Sequence, residues 1–302
     1  MRKATCVRLL AGLVLMVAPV AAQQQDFSKV EIKVVPAAGN IYMLQGAGGN
    51  IGVSAGSDGI LIVDDQYAPL AERIRAALKS INSGKLKFVL NTHWHGDHTG
   101  GNATFGPEAP IIAQENVRKR LSGEQRLRGN AVPASPKEAL PVITFQDSVS
   151  VHFNGEEIKV IHYPHGHTDG DSVVFFTKSN VVHMGDDFAS GRFPFLDLEN
   201  GGSVQGMTAG VAKVLAQIPP DAKVIPGHGP LSTVEDLKTY HRMLVETTAI
   251  VQKGIKAGKT LAQIQAEGVP EPWKVLGDGP IKNDMWIQLI HSSLTQKTPG
   301  GS

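Results

Sequence analysis

Cysteine is almost absent from this chain, since Cys6 is the only one among 302 residues. It lies in an N-terminal segment with basic residues, a short apolar core and small residues at Ala21 and Ala22. This is the pattern of a secretory signal peptide, so we predict that residues 1–22 are a cleaved leader and that the mature protein is periplasmic or secreted. Without cysteine, residues 23–302 form no disulfide and offer no thiolate as a metal ligand or nucleophile.

An excess of basic residues and a long apolar run are also missing. Lysine and arginine number 29 against 28 acidic residues, and the predicted leader carries three of the basic ones, which leaves 26 and a charge of about −2. Such a chain has no basic excess for nucleic acid. The apolar run at 9–17 is too short to span a bilayer. We therefore expect a small-molecule substrate, no nucleic acid and no stable membrane insertion after leader cleavage; the oligomeric state stays open.

The distribution of apolar residues predicts an α/β protein. Short apolar runs separated by glycine-rich turns predict two strand series, each followed by a helix and a polar loop, which suggests two related halves. We predict one domain over residues 23–302, with a C-terminal helical extension at 231–296. Three local predictions are a strand at 30–34, a loop at 130–141 and a helix that begins with a capping box from Ser232 to Glu235.

The densest group of metal-binding side chains lies at 92–98, in the sequence Thr-His-Trp-His-Gly-Asp-His. This segment contains His93, His95, Asp97 and His98, and it directly follows an apolar run at 87–90 that we predict to be a buried strand. Loops at strand ends are where a rigid scaffold presents functional side chains. Imidazole and carboxylate groups bind divalent metals such as zinc, so the segment predicts a metal site.

Three more candidate ligands follow along the chain: His167, Asp186 and His228. Each comes after an apolar run and has a glycine beside it. His165 competes with His167 for this role, and Asp187 competes with Asp186. Loops of this kind can converge at one edge of a packed α/β sandwich, so these residues are candidates to complete the site.

These motifs together resemble those of the metallo-β-lactamase fold superfamily. In chain order they are His93-x-His95-x-Asp97-His98, His167-Thr168, Gly185-Asp186 and Gly227-His228-Gly229. The resemblance covers roughly residues 30–244. It implies an α/β fold in the form of a four-layer αβ/βα sandwich, with the site at one edge of the facing sheets. The neighbours Thr168 and Gly185 favour His167 and Asp186 over their rivals.

The resemblance also implies a cofactor of two zinc ions per chain. The implied ligands are His93, His95 and His167 for the first zinc, Asp97, His98 and His228 for the second, and Asp186 as a bridge between them. A metal-bound hydroxide would attack a carbonyl that zinc polarises. Asp97 would also act as the catalytic residue that orients this nucleophile.

Family membership leaves the substrate less defined than the chemistry. An exported location favours opening of a cyclic amide, a β-lactam, by a zinc-dependent hydrolase. The chain departs from many β-lactamases at Asp186, where they have cysteine, and at Ala189, where those enzymes have a lysine that holds the substrate carboxylate; Arg192 is a candidate replacement. The alternative is a lactonase or another ester or thioester hydrolase. An alternative of another class is a periplasmic metal- or ligand-binding accessory protein without strong turnover.

Three other residues near the motifs are candidates for supporting the ligands or lining the pocket. Trp94 lies between two ligands and either packs in the core or lines the pocket wall. Thr99 and Asp171 are candidates to orient metal ligands.

Overall fold

A seven-stranded sheet forms the first half of the molecule in the computed structural model, which describes residues 26–296. In spatial order its strands are β1 (Lys33–Ala38), β2 (Ile41–Gln45), β3 (Ile51–Gly56), β4 (Gly59–Val63), β5 (Leu86–Leu90), β6 (Ile111–Gln114) and β9 (Ile143–Phe145). Strands β1 to β4 pair antiparallel, and β4, β5, β6 and β9 pair parallel. The predicted leader, 1–22, lies outside the described residues.

A six-stranded sheet forms the second half. In spatial order its strands are β10 (Ser148–Phe153), β11 (Glu156–His162), β12 (Ser172–Phe176), β13 (Val181–His183), β14 (Lys223–Ile225) and β15 (Ser232–Thr233). Only β13 and β14 pair parallel, so their carboxyl ends lie at the same edge of the sheet. A separate hairpin consists of β7 (Gln125–Leu127) and β8 (Asn130–Val132).

Helices cover the outer face of each sheet. They are α1 (Ala71–Ile81), α2 (Gly96–Thr99), α3 (Asn102–Phe105), α4 (Glu115–Leu121), α5 (Val204–Leu215), α6 (Val234–Lys256), α7 (Leu261–Glu267) and α8 (Asn283–Thr295). Helix α1 packs on the first sheet, and α5 to α8 pack on the second. Across residues 26–296, none of these helices has both the length and the apolar content that a membrane span requires.

Strand β4 shows how the alternation of side chains produces the layers. Because successive side chains of a strand point to opposite faces, Ile60 and Ile62 pack outward in the cluster that contains α1. Leu61 and Val63 point inward, into the cluster that joins the two sheets. All of β4 is buried, as expected for a strand covered on both faces. The arrangement confirms the predicted four-layer αβ/βα sandwich.

Two local predictions at strand boundaries were wrong. The first strand begins at Lys33 rather than at residue 30, because the Val30 amide donates to the Phe27 carbonyl and the Arg73 guanidinium binds the Val30 carbonyl. These contacts engage the backbone outside the sheet. The segment 130–141, predicted to be a loop, contains β8 at its start.

The capping box of the long helix α6 lies one residue later than predicted. Thr233 caps the helix, its hydroxyl accepts from the Asp236 amide, and the Asp236 carboxylate accepts from the Thr233 amide. Ser232 is not the cap, because its hydroxyl turns back to donate to the Pro230 carbonyl.

Candidate metal centre

The seven predicted ligands meet at one edge of the two sheets. Four of them follow β5: His93 and His95 lie in the turn before α2, and Asp97 and His98 lie within α2. His167 lies between β11 and β12, Asp186 follows β13, and His228 follows β14. Because β13 and β14 are parallel, their ends deliver Asp186 and His228 to the same place. The first sheet therefore supplies one contiguous loop and the second sheet supplies three separate strand ends.

His93, His95 and His167 form the first group. One nitrogen from each ring lies within 4.8 Å of the others. His167 Nε2 and His95 Nδ1 are 2.8 Å apart. All three side chains are buried. Three imidazoles around one point are a typical zinc ligand set.

Asp97, His98 and His228 form the second group, again with one ligand atom each within 4.8 Å. Asp186 lies between the two groups. Its Oδ1 is 3.0 Å from His98 Nε2, and its Oδ2 is 3.5 Å from His167 Nε2. The same Oδ2 is 3.4 Å from His228 Nε2. Asp186 is thus the one carboxylate placed to contact ions in both groups.

Acceptors outside the centre fix the orientation of the histidine rings. His95 Nε2 donates to Asp197 Oδ2 at 2.8 Å, and His98 Nδ1 donates to Asp64 Oδ2 at 2.7 Å. His167 Nδ1 donates to the Phe195 carbonyl at 2.8 Å. Each of these bonds leaves the second nitrogen of the ring directed toward the centre. Such bonds select the tautomer that can bind a metal.

His93 is oriented through a hydroxyl. Its Nδ1 lies 3.0 Å from Thr92 Oγ1, and this hydroxyl donates to Asp64 Oδ2 at 2.8 Å, so it accepts from the imidazole. Asp64 therefore supports two ligands, His98 directly and His93 through Thr92. The Asp64 side chain is fully buried.

The electrostatics of the centre divide the histidines into two classes. Burial, together with the neighbouring histidines, lowers the pKa of His93 well below its usual range, and burial lowers the pKa of His167 to about 4. The Asp186 carboxylate raises the pKa of His228 to about 9, although burial opposes this. Burial also opposes a charged His98, but Asp186 and other nearby carboxylates raise its pKa well above the usual range.

Both carboxylates of the centre stay ionised. Burial raises the pKa of Asp97, but His98 and His228 outweigh it and hold the pKa at about 2. The pKa of Asp186 is likewise well below its usual range, because His228 and His98 outweigh burial. Two anionic carboxylates beside the neutral imidazoles of His93 and His167 favour a bound cation.

The donor atoms fit a divalent metal. Three of them, His93 Nε2, His98 Nε2 and Asp186 Oδ1, are buried without a hydrogen-bond partner. The other nitrogen of each ring carries the proton in the case of His95 and His167. The lone pairs of His95 Nδ1 and His167 Nε2 therefore point toward each other. Cations held by the two ligand groups would satisfy all of these atoms. A nitrogen and oxygen set without sulfur suits zinc, iron or manganese.

Two glycines allow the backbone to pass close to the ligands. A Cβ atom at Gly49 would lie 2.1 Å from the His98 ring, and one at Gly227 would lie 2.0 Å from Asp186 Oδ1. Any side chain there would displace a ligand. The Gly227 amide also donates to the Gly185 carbonyl, which joins the two ligand loops of the second sheet.

A cavity of about 520 Å³ opens beside the metal centre. Its floor includes His95, Asp97, Asp186 and His228. The walls are mostly apolar and come from three places: the β7–β8 hairpin, the segment around Phe195, and Pro280 and Ile281 of the C-terminal extension. The size and lining suit a small organic molecule.

The remaining predicted residues occupy different positions. Trp94 is buried against Val117 and Leu121 and does not line this cavity, so it packs in the core. The Thr99 hydroxyl donates to the carbonyl of His95 and supports the ligand loop. Arg192 lines the cavity.

Asp171 acts on the loop of His167. Its carboxylate accepts from the amide and the hydroxyl of Thr168. Asp187 accepts from the His167 amide at 3.1 Å. The rival ligand His165 is exposed, with its Nδ1 beside the Gly201 carbonyl, and belongs to neither ligand group.

Sequence reasoning missed Asp64, Asp197 and Phe195, which orient the ligands. Asp64 had a detectable signal, since two adjacent acidic residues directly follow the wholly apolar strand β4. Asp197 lies far from any ligand in sequence, and Phe195 acts through its backbone carbonyl. Neither has a signal in one sequence.

A sequence model of the metallo-beta-lactamase superfamily matches residues 34–228, which include all seven candidate ligands. The chain belongs to this superfamily. The match confirms the resemblance inferred from the motifs. Superfamily membership and the His and Asp clusters support a metal-dependent hydrolase.

Among curated relatives of this superfamily member, a hydroxyacylglutathione hydrolase from Polaromonas sp. is 30% identical over 164 residues. The match covers 53% of this chain and 55% of that protein, so the chain spans about half the length of the curated relatives it matches.

Solved structures share the fold. The DIM-1 metallo-beta-lactamase has a TM-score of 0.59 at 21% identity, covering 72% of this chain and 99% of that one. A variant of the sec-alkyl sulfatase PisA1 has a TM-score of 0.67 at 13% identity, covering 87% and 50%.

Proposed function

We propose that this protein is a two-zinc acyl hydrolase that cleaves a small thioester or ester outside the cytoplasm. The observation that carries the proposal is the position of Asp186 between the two ligand groups, within 3.5 Å of His98, His167 and His228. A carboxylate so placed suits a pair of metals better than one. The predicted leader at 1–22 supports the location.

The ligand groups define which residues would hold each ion. His93, His95 and His167 would hold the first zinc, and Asp97, His98 and His228 the second, with Asp186 touching both. When bound, the zinc pair would supply Lewis acidity, which polarises a substrate carbonyl and makes water nucleophilic at neutral pH.

The protein itself contributes two groups to the reaction. Asp97 is ionised, since its pKa is about 2, and its side chain is partly exposed to the cavity. It can accept a hydrogen bond from the attacking water and orient that water toward the carbonyl. Tyr67 lines the same cavity, and burial together with Asp97 raises its pKa to about 12. Its hydroxyl therefore stays protonated and can donate to the developing oxyanion.

Two observations favour a thioester or ester over other substrates. The curated relatives include hydroxyacylglutathione hydrolases that are 28–32% identical over the matched residues, whereas the DIM-1 β-lactamase structure is 21% identical. Ala189 presents only a methyl group to the cavity, at the position where a lysine would hold the carboxylate of a β-lactam.

Opening of a β-lactam is the second candidate. The predicted export favours this reaction, because the targets of β-lactam antibiotics lie in the periplasm and not in the cytoplasm. The cavity of about 520 Å³ is large enough for a bicyclic β-lactam. Arg192 lines that cavity and could take the role of the missing lysine.

A substrate panel with purified, zinc-loaded residues 23–302 tests the proposal. Thiol release from acyl thioesters can be followed with a thiol reagent without background, because the mature chain has no cysteine. Nitrocefin reports β-lactam opening in parallel. Thioester cleavage that disappears on chelation and in Asp97→Ala supports the proposal. Nitrocefin cleavage alone would select the second candidate. No turnover of either class by a protein that holds zinc would favour the accessory-protein alternative.

A further inference from the structure

The hairpin that covers the cavity and the first ligand group share one buried side chain, Asn200. It lies in a short 3-10 helix, Leu198–Asn200, and is 2% exposed. This helix follows Phe195 and Asp197, which orient His167 and His95. The helix therefore lies behind the ligands of the first group.

Asn200 fixes Asp197 with its amide nitrogen. Asn200 Nδ2 is 2.8 Å from Asp197 Oδ2 and 2.9 Å from Oδ1, and the Asn200 backbone amide donates to Oδ1 at 3.2 Å. Asp197 Oδ2 is also the acceptor for His95 Nε2. The side chain that orients His95 is thus held in place by Asn200.

The same amide nitrogen fastens the hairpin. Asn200 Nδ2 donates to the Arg126 carbonyl in β7 at 2.7 Å. The hairpin residues Leu127, Arg128, Asn130 and Val132 line the cavity. A displacement of the hairpin by a bound molecule would therefore act on the group that holds Asp197.

Arg120 prevents the amide from rotating. Its guanidinium donates to Asn200 Oδ1 at 2.7 Å and to Gln125 Oε1 at 3.0 Å, and it forms an ion pair with Asp169. Because Asn200 Oδ1 faces this cation, its Nδ2 must face Asp197 and Arg126. The donor and acceptor ends of Asn200 are both in use, and a buried network of this kind is specific to the residue.

We propose that Asn200 is a positioning residue that couples the substrate-covering hairpin to the metal ligand His95. The inference rests on the proposed function in one respect, namely a metal at His93, His95 and His167. Zinc bound to His95 and an ordered hairpin then stabilise each other, because both require the same orientation of one amide. Such coupling is reciprocal.

Asn200→Ala tests the link from the amide to the metal. Loss of an outer partner of a ligand weakens metal binding by about 10- to 100-fold. Since Asn200 acts through Asp197, we expect about a tenfold weaker zinc affinity of the first group and an altered visible spectrum of the cobalt-substituted protein. The control is Gln146→Ala, at an exposed amide side chain outside both the hairpin and the metal centre. It should keep the wild-type affinity and spectrum.

Hydrogen exchange of the wild-type protein tests the effect of zinc on the hairpin. This measurement does not depend on the folding of a variant. Zinc loading should slow amide exchange several-fold in peptides covering 125–132. The turn at Asn154 and Gly155, between β10 and β11, serves as the control and should change less. Asn200→Ala should remove the difference.

The outcomes separate the inference from the function on which it rests. If His95→Ala leaves the zinc stoichiometry of the wild type unchanged, no metal binds the first group and both ideas fail. If His95→Ala loses zinc but the zinc affinity of Asn200→Ala is within twofold of wild type, the coupling is wrong. Hairpin exchange that is unaffected by zinc would also overturn it.

Discussion

The two halves of the molecule build the metal centre in different ways. The first half delivers His93, His95, Asp97 and His98 from one loop after β5, and Asp64 at the end of β4 supports this loop. The second half delivers His167, Asp186 and His228 from three strand ends. The contiguous motif is supported by two carboxylates, Asp64 from its own half and Asp197 from the other. Dispersed ligands need parallel strand ends and a supporting segment, here Phe195 to Asn200.

The supporting segment orients ligands that belong to both halves. Asp197 orients His95, which belongs to the first half, whereas Phe195 orients His167, which belongs to the second. The first ligand group is therefore built across the interface of the two sheets. Substitutions of Asp64 and of Asp197 should therefore weaken the binding of different zinc ions.

The largest effect should come from Asp97, which belongs to the contiguous loop. Asp97→Ala removes a second-zinc ligand and the group that orients water, so kcat/KM should fall about 10³-fold. The first zinc should remain, because Asp97 is not in the first group. Steady-state kinetics and metal analysis check this. Asp221→Ala, at an exposed carboxylate, is the control; a similar loss in that variant would contradict the assignment.

Asp64→Asn and Asp197→Asn sharpen the comparison. Each removes the charge that orients a ligand, and each should weaken zinc by about 10- to 100-fold. Asp64→Asn should act chiefly on the second zinc, through His98, and Asp197→Asn on the first, through His95. Competition titrations with a chromogenic chelator resolve the two affinities. If both variants weakened the same zinc, the division of the centre into two groups would be wrong.

A pH effect should distinguish His228 from His167. Zinc binds neutral imidazole, and Asp186 raises the pKa of His228 to about 9 in the metal-free protein, although burial opposes it. His98, the other imidazole of this group, also has a raised pKa. Affinity for the second zinc should therefore rise at least tenfold per pH unit up to about pH 9. The pKa of His167 is about 4, so it contributes no such dependence near pH 7. Calorimetry in buffers of different ionisation enthalpy should detect a released proton, and its absence would contradict this assignment.

The smallest effect should come from the C-terminal wall of the cavity. Ile281→Ala removes apolar contact with substrate but touches no ligand, so KM should rise several-fold with kcat and zinc content unchanged. Val275→Ala, at an exposed position of the same extension, is the matched control. Equal KM values for both variants would show that the extension does not contact substrate.

Sequence patterns were sufficient to predict most of the fold. The uninterrupted apolar run of β4 and the helical spacing of α1 are local signals, and each half repeats the same order of elements. The errors lie where side chains act on the backbone. Arg73 binds the carbonyls that precede β1, and the Ser232 hydroxyl binds the Pro230 carbonyl instead of capping the helix.

The candidate ligands were easier to predict than their supports. In residues 23–302, which lack cysteine, metal ligands are histidines or carboxylates. Asp186 and His228 each follow a strand with glycine beside them and are therefore recognisable. Asp197 and Asn200 could be any buried polar pair, and only tertiary contacts reveal their partners. Trp94 lies between two ligands in sequence, yet it packs in the core against Val117 and Leu121.

Zinc stoichiometry of purified residues 23–302 tests the central claim most directly, namely that both halves build one two-metal centre. Metal analysis of wild type, His95→Ala and His228→Ala should give about two, one and one zinc per chain, with His95→Ala losing the first zinc and His228→Ala the second. One zinc in the wild type, or both zinc ions retained in either variant, would contradict the account.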